Sequence, residues 1–221
     1  MQKHVIFDMD GVLVDSEPIH MQILGEVLQE MGVNLTREYH FTLVGMGALM
    51  MWEKLKKDFG LEGKPADLLE AHKAYFFSVI GDRQIPKTEG VSELLCRLKD
   101  SGYNLSLGSS SPVKLIDIFM EKAGLGRYFD HMVSSEHVAR GKPFPDIFLK
   151  VAGLYDISPD AFVVIEDSRN GVKAARAAGM QCIGYRNANS GQQDLSAADL
   201  IIDDFRELTT TKMNMFYCVN E

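Results

Sequence analysis

Apolar positions along this chain alternate between two periods. Short runs at residues 4–7, 104–108, 132–134, 162–165, 181–184 and 199–202 read as strands, and the stretches between most of them carry helical spacing. Strands alternating with amphipathic helices predict an α/β fold, a doubly wound parallel sheet. The rhythm breaks once. Between Asp15 and about Asp82 there is no comparable strand run, while Ile19, Ile23, Leu24, Val27, Leu28 and Met31 recur on one helical face. Four helices, at about 17–31, 37–43, 48–59 and 66–80, therefore make an inserted helical domain of residues 16–82. The core is divided into 1–15 and 83–221. Gly32, Gly60 and Gly81 fall where helix ends favour φ > 0, and Ser101-Gly102 closes a helix bearing Val91, Leu94, Leu95 and Leu98.

Composition narrows the classes without choosing among them. The 221 residues suffice to bury a core without covalent staples. Cys96, Cys182 and Cys218 are odd in number, widely spaced and without metal-ligand spacing, so they read as reduced thiols of a cytoplasmic protein. No apolar stretch has the length of a bilayer span, and the expectation is a protein with no membrane partner. A formal charge of −8, with no Lys/Arg cluster, argues against nucleic acid as a partner. A small anion remains compatible, because a bound cation can reverse the sign of a cleft. A monomer is expected.

The chemistry concentrates where strands end. Asp8-Met9-Asp10-Gly11 follows the run Val5-Ile6-Phe7, and a buried strand that delivers two carboxylates needs a partner or a metal for them. One carboxylate can attack phosphorus while the other handles the leaving-group proton; the bland alternative is an Asx turn capping the next helix. Leu107-Gly108-Ser109-Ser110-Ser111-Pro112 runs from strand to small hydroxyls, with Pro112 expected at the first helical position. Ser109 and nearby N–H groups suit a phosphate oxygen, and Ser111 suits a helix cap. In Arg140-Gly141-Lys142-Pro143-Phe144-Pro145 the prolines stiffen a loop, so Lys142 is placed to neutralise a carboxylate and a phosphoryl group rather than to decorate the surface. Finally Phe162-Val163-Val164-Ile165-Glu166-Asp167-Ser168 is a second strand ending in acids. Hard Mg²⁺ prefers such oxygens, so Asp8, the Asp10 backbone carbonyl and Asp167 form a ligand set, with Glu166 a direct ligand or one layer behind. Acids near a helix start also favour its dipole without any metal.

These motifs, in this order, resemble the four motifs of the haloacid dehalogenase superfamily: Asp8-x-Asp10-Gly, Ser109, Lys142-Pro and Glu166-Asp167. The helical insertion after the first motif resembles its type 1 cap on a Rossmann-like core. Asp15-Ser16-Glu17-Pro18, Gly141-Lys142-Pro143 and Glu166-Asp167-Ser168 are similar to the β-phosphoglucomutase-like phosphatase branch. The resemblance implies that Asp8 is a nucleophile forming an aspartyl-phosphate and Asp10 the general acid/base. It implies that Ser109 and Lys142 bind the phosphoryl group, and that Asp8, Asp10, Asp167 and Glu166 hold Mg²⁺. Dehalogenases and phosphonatases of the superfamily lack the second aspartate, so Asp10 favours phosphoryl transfer.

Val44-Gly45-Met46-Gly47-Ala48 stands where that branch has its substrate-specificity loop. The mutase carries a phosphate-gripping arginine three residues after the glycine, where this chain has Ala48. Gly45 and Met46 are therefore candidate substrate residues. His20 is a candidate for ordering the acid or the cap, against an ordinary helix-face histidine; Met46, Met50, Met51 and Trp52 suit either a malleable pocket or packing. The expected activity is a Mg²⁺-dependent phosphohydrolase acting on a small phosphorylated metabolite, a sugar or polyol phosphate. β-Phosphoglucomutase is the nearest alternative. A non-catalytic, receiver-like phosphate-binding regulator is a third, disfavoured by Asp10.

Overall fold

A computed structural model describes residues 2–217; Cys218 lies outside them. The chain forms two compact units: Ser16–Gln84, and the described residues through Asp15 and from Ile85 onward.

The second of these is built on six strands, β1 Lys3–Phe7, β2 Tyr103–Ser109, β3 His131–Ser134, β4 Phe162–Glu166, β5 Gln181–Tyr185 and β6 Leu200–Ile202. Their order is β3-β2-β1-β4-β5-β6, and each pairing is parallel. The doubly wound parallel sheet expected from the alternating pattern is present. The central strands β1, β2 and β4 are buried over nearly their whole length because helices cover both faces of such a sheet. One core cluster collects Ile6, Ile147, Phe148, Val151, Val164, Val172 and Cys182. The covering helices are α5 Val91–Asp100, α6 Val113–Ala123, α7 Asp146–Tyr155 and α8 Arg169–Ala177, with α9 Thr210–Met215 last. Cys96 is exposed, Cys182 is buried, and neither is in a disulfide.

Strand order reverses at β1. The chain moves outward through β2 and β3 on one side, then returns to lay β4, β5 and β6 on the other. In open α/β sheets ligands bind beyond the carboxyl ends of strands at this switch. Register does the aligning: Phe7 pairs with both Leu107 and Ile165, so the residues just after them emerge together.

The helical unit contains α1 Glu17–Glu30, α2 Arg37–Phe41, α3 Ala48–Phe59 and α4 Pro65–Val79. Leu24, Val27, Leu28, Leu43, Trp52, Leu55 and Leu61 make its core. Arg83 donates to Glu26 at 2.7 Å and tethers the end of the unit to its first helix. Gly32 and Gly60 have φ of 77° and 66°, as their positions at helix ends require. Gly81 differs from expectation: α4 continues into a 3₁₀ turn, Ile80–Asp82, and Gly81 lies within that turn without positive φ.

Among the described residues, no helix is long and apolar enough to cross a membrane. Ile6 is fully buried at the centre of the sheet, so Ile6→Ala should cost about 2–5 kcal/mol in urea denaturation. Met50→Ala, at a position 62% exposed, should stay within about 0.5 kcal/mol.

Candidate active site

β1 ends at Phe7, and Asp8 is the first residue beyond it, its N–H donating to the Ile165 carbonyl at 2.9 Å. The chain then turns sharply through Gly11, whose φ is 78°. Glycine is required there twice over, since a Cβ at Gly11 would lie 1.9 Å from Asp167 Oδ2. Asp10 sits in this turn, and its Oδ2 accepts from Ser111 Oγ at 2.7 Å. The two aspartates thus have different surroundings.

Lys142 is the counter-ion of the buried acids. It stands on an exposed loop before α7, immediately before the cis peptide to Pro143, yet its side chain is only 5% exposed. Its Nζ donates to Asp8 Oδ1 at 2.5 Å and to Glu166 Oε1 at 2.6 Å, and lies 5.0 Å from the centre of the Phe148 ring. Glu166 Oε2 accepts from the Ser168 N–H and hydroxyl, both at 2.9 Å. Ser168 also caps α8 by accepting from the Gly171 N–H. A Cβ at Gly171 would fall 1.6 Å from Glu166 Oε1, so the first turn of α8 leaves room for this carboxylate only because it has no side chain there.

Asp8, Glu166 and Asp167 are all buried, and one carboxylate oxygen from each lies within 4.8 Å of the others. Hard oxygen donors in a dry, negatively charged cluster fit a small divalent cation. Burial pushes the Asp8 carboxyl up to about 7, with Lys142 pulling against it. Burial, then the charges of Glu166 and Asp8, raises Asp167 well above the usual carboxylate range. Burial alone would lower the Lys142 ammonium; the charges of Asp8 and Glu166 outweigh it and hold the proton on more tightly.

The fold therefore brings together Asp8, Lys142, Glu166 and Asp167, with Asp10 one turn away. Asp10 is not part of the carboxylate cluster; its side chain is committed to Ser111. Ser109 ends β2 fully buried, and its Oγ accepts from the Ser111 N–H at 3.0 Å, which leaves its own hydrogen free to donate. Ser111 corrects a sequence expectation. Pro112 rather than Ser111 is the α6 cap, and the Ser111 hydroxyl turns to Asp10 instead. Two further hydroxyls serve the acids: Ser168, named in a motif but given no role there, on Glu166, and Ser190, outside every motif, whose Oγ donates to Asp167 Oδ2 at 2.5 Å. The signal for Ser190 was a polar run directly after a strand, Arg186-Asn187-Ala188-Asn189-Ser190.

His20, Gly45 and Met46 belong to the helical unit. The His20 ring stacks on Phe76 at 5.1 Å. Gly45 has φ of 81° in the turn between α2 and α3, and Met46 is exposed beside it. Trp52 is wholly buried in the core of that unit, whereas Met50 faces outward, so these side chains do not form one pocket wall.

Residues 5–185 match the family model described as haloacid dehalogenase-like hydrolase. The chain belongs to this family. It falls among the β-phosphoglucomutase-like phosphatases, and three similar proteins illustrate the range. A phosphorylated carbohydrates phosphatase of Thermotoga maritima is 33% identical over 81% of this chain and 82% of its own. A β-phosphoglucomutase of Bacillus subtilis is 28% identical, covering 94% and 92%. The crystal structure of a hydrolase of the family from Deinococcus radiodurans, with bound phosphate and sodium, superposes with a TM-score of 0.81 at 29% identity, over 98% of this chain and 96% of that one.

Lys142→Met would leave the buried carboxylates without their cation. The loss of stability should be about 3–5 kcal/mol near pH 8. It should be smaller near pH 5.5, where Asp8 already carries a proton; denaturant melts of the metal-free protein at the two pH values measure the difference.

Proposed function

We propose that this enzyme hydrolyses the phosphate monoester of a small sugar or polyol by way of an aspartyl-phosphate on Asp8, with Mg²⁺ as cofactor. The observation that carries the reading is the division between two neighbouring aspartates. Asp8 is held by an ammonium inside an acid cluster, while Asp10 is held by a neutral hydroxyl outside it. Lys142 and a cation favour the ionised, nucleophilic form of the first; the second, hydrogen-bonded by the Ser111 hydroxyl and outside the carboxylate cluster, carries the proton in this reading. The naming of the Thermotoga relative as a phosphatase of phosphorylated carbohydrates supports the substrate class.

In the first step an Asp8 carboxylate oxygen attacks phosphorus, and the bond from phosphorus to the ester oxygen breaks. Asp10 gives its proton to the departing oxygen, so an alcohol leaves rather than an alkoxide. In the second step Asp10 takes a proton from water as that water attacks phosphorus, and Asp8 leaves with inorganic phosphate released. Ser109 and Lys142 hold phosphoryl oxygens as their charge changes. Asp8 and Asp167 would hold Mg²⁺, beside a Glu166 whose oxygens already serve Lys142 and Ser168. Bound there, the ion supplies positive charge against the acids and the phosphoryl oxygens.

The similarity to a β-phosphoglucomutase sustains one competing reading, in which the phosphoryl group returns to the sugar. The chain has Ala48 rather than arginine at the place of the second-phosphate grip, which favours hydrolysis. Incubation with β-glucose 1-phosphate and a trace of the 1,6-bisphosphate separates the two: phosphate release should exceed glucose 6-phosphate formation, and the reverse outcome overturns the hydrolase reading. With p-nitrophenyl phosphate and Mg²⁺, Asp8→Asn and Asp10→Asn should each lower kcat by about 10²-fold or more. Activity equal to wild type in both would return the chain to the regulator class.

Mg²⁺ should also stabilise the fold with a defined pH dependence. In the metal-free protein Asp8 and Asp167 bind protons more tightly folded than unfolded. The Asp8 contribution therefore favours the fold at low pH and is lost as pH rises through about 7, and that of Asp167 runs in the same direction. A cation replaces those protons, so the Mg²⁺-induced rise in melting temperature should be larger near pH 8 than near pH 5.5.

A further inference from the structure

The segment 187–190, directly after β5, is tied on both sides to the acids yet belongs to none of the four motifs. Asn187 Nδ2 donates to the Gly11 carbonyl at 2.9 Å and to Asp15 Oδ1 at 3.3 Å. Asn189 Nδ2 donates to Asp15 Oδ2 at 2.7 Å, and its N–H to Asn187 Oδ1 at the same distance. These bonds fasten the segment to the turn that carries Asp8 and Asp10. Ser190 then donates to Asp167 Oδ2, and both oxygens sit in the space that a Cβ at Gly11 would fill.

Packing does not account for this arrangement. A cavity of about 430 Å³ lies along the segment, lined by Asp167, Arg186, Asn187, Gly191 and Gln193 among others, so one side has no core against it. Ser190 is nonetheless 8% exposed, with its hydroxyl committed to the carboxylate. A polar strap with a cavity behind it is held by its hydrogen bonds. Its fixed end is the β1 turn and its working end is Asp167.

We propose that Ser190 is a positioning residue for divalent-cation binding: its hydroxyl, anchored through Asn187 and Asn189 to the β1 turn, fixes the Asp167 carboxylate relative to Asp8. The inference rests on the reading that Asp8 and Asp167 bind Mg²⁺. Outer hydrogen-bond partners of ligating carboxylates commonly contribute about 10- to 100-fold in metal affinity, because a free carboxylate must be re-oriented each time the ion binds. A hydroxyl on Oδ2 restrains that rotation, in a space that exists only because Gly11 has no side chain.

The test is calorimetric titration of the full chain with MgCl₂, for wild type, Ser190→Ala, Ser190→Thr and Asp167→Asn. Ser190→Ala should bind Mg²⁺ at least about 10-fold more weakly than wild type. Ser190→Thr, which retains the hydroxyl, should recover most of that loss. With p-nitrophenyl phosphate, saturating Mg²⁺ should restore kcat in Ser190→Ala without a change in KM. Equal Mg²⁺ affinity in wild type and Ser190→Ala overturns the proposal alone, provided Asp167→Asn abolishes binding. Absence of Mg²⁺ binding in the wild type overturns the metal reading and the proposal together.

Discussion

One ammonium among three buried carboxylates is the constraint around which this site is built. With Asp8, Glu166 and Asp167 ionised, Lys142 neutralises one charge and leaves two. Charges out of water need partners, and an acid cluster short of cations either holds protons or takes up a metal. Each supporting feature serves that balance. Ser168 occupies one oxygen of Glu166, Ser190 one oxygen of Asp167, and the Phe148 ring stands beside the Lys142 ammonium. The cluster is costly for folding, and in the proposed mechanism it gathers the positive charge that a phosphoryl group needs.

The sheet makes such a cluster possible. Parallel strands in a common register release their carboxyl ends along one edge, and the reversal of strand order at β1 opens a crevice there. Asp8 leaves β1, Ser109 ends β2 and Glu166 ends β4. None of these residues must fold back through the core to reach the others. Gly11 and Gly171 supply the remaining condition, since carboxylates occupy the space in which a side chain at either position would begin.

Much of the fold was legible because its signals are local. Six apolar runs became six strands, and four helix-spaced stretches became the four helices of the insertion within a residue or two at most ends. The exceptions are also local in cause. Gly81 looked like a left-handed helix end, but α4 tightens into a 3₁₀ turn and needs none. Ser111 looked like a cap, since a serine before a helix usually is one. Its hydroxyl donates instead to Asp10, a residue 101 positions away, and Pro112 takes the cap position.

By itself the sequence determined which segments form strands and helices, where charged residues must emerge, and the family to which the chain belongs, because period, strand-end acids and motif order are properties of neighbouring residues. Tertiary structure alone decided which oxygen each hydrogen bond occupies: that Lys142 bridges Asp8 and Glu166, that Asp10 stands apart with Ser111, and that Ser190 reaches Asp167. Those contacts join residues 23 to 134 positions apart across loops of irregular backbone. No periodicity extends across such loops, so only the closed three-dimensional arrangement specifies them.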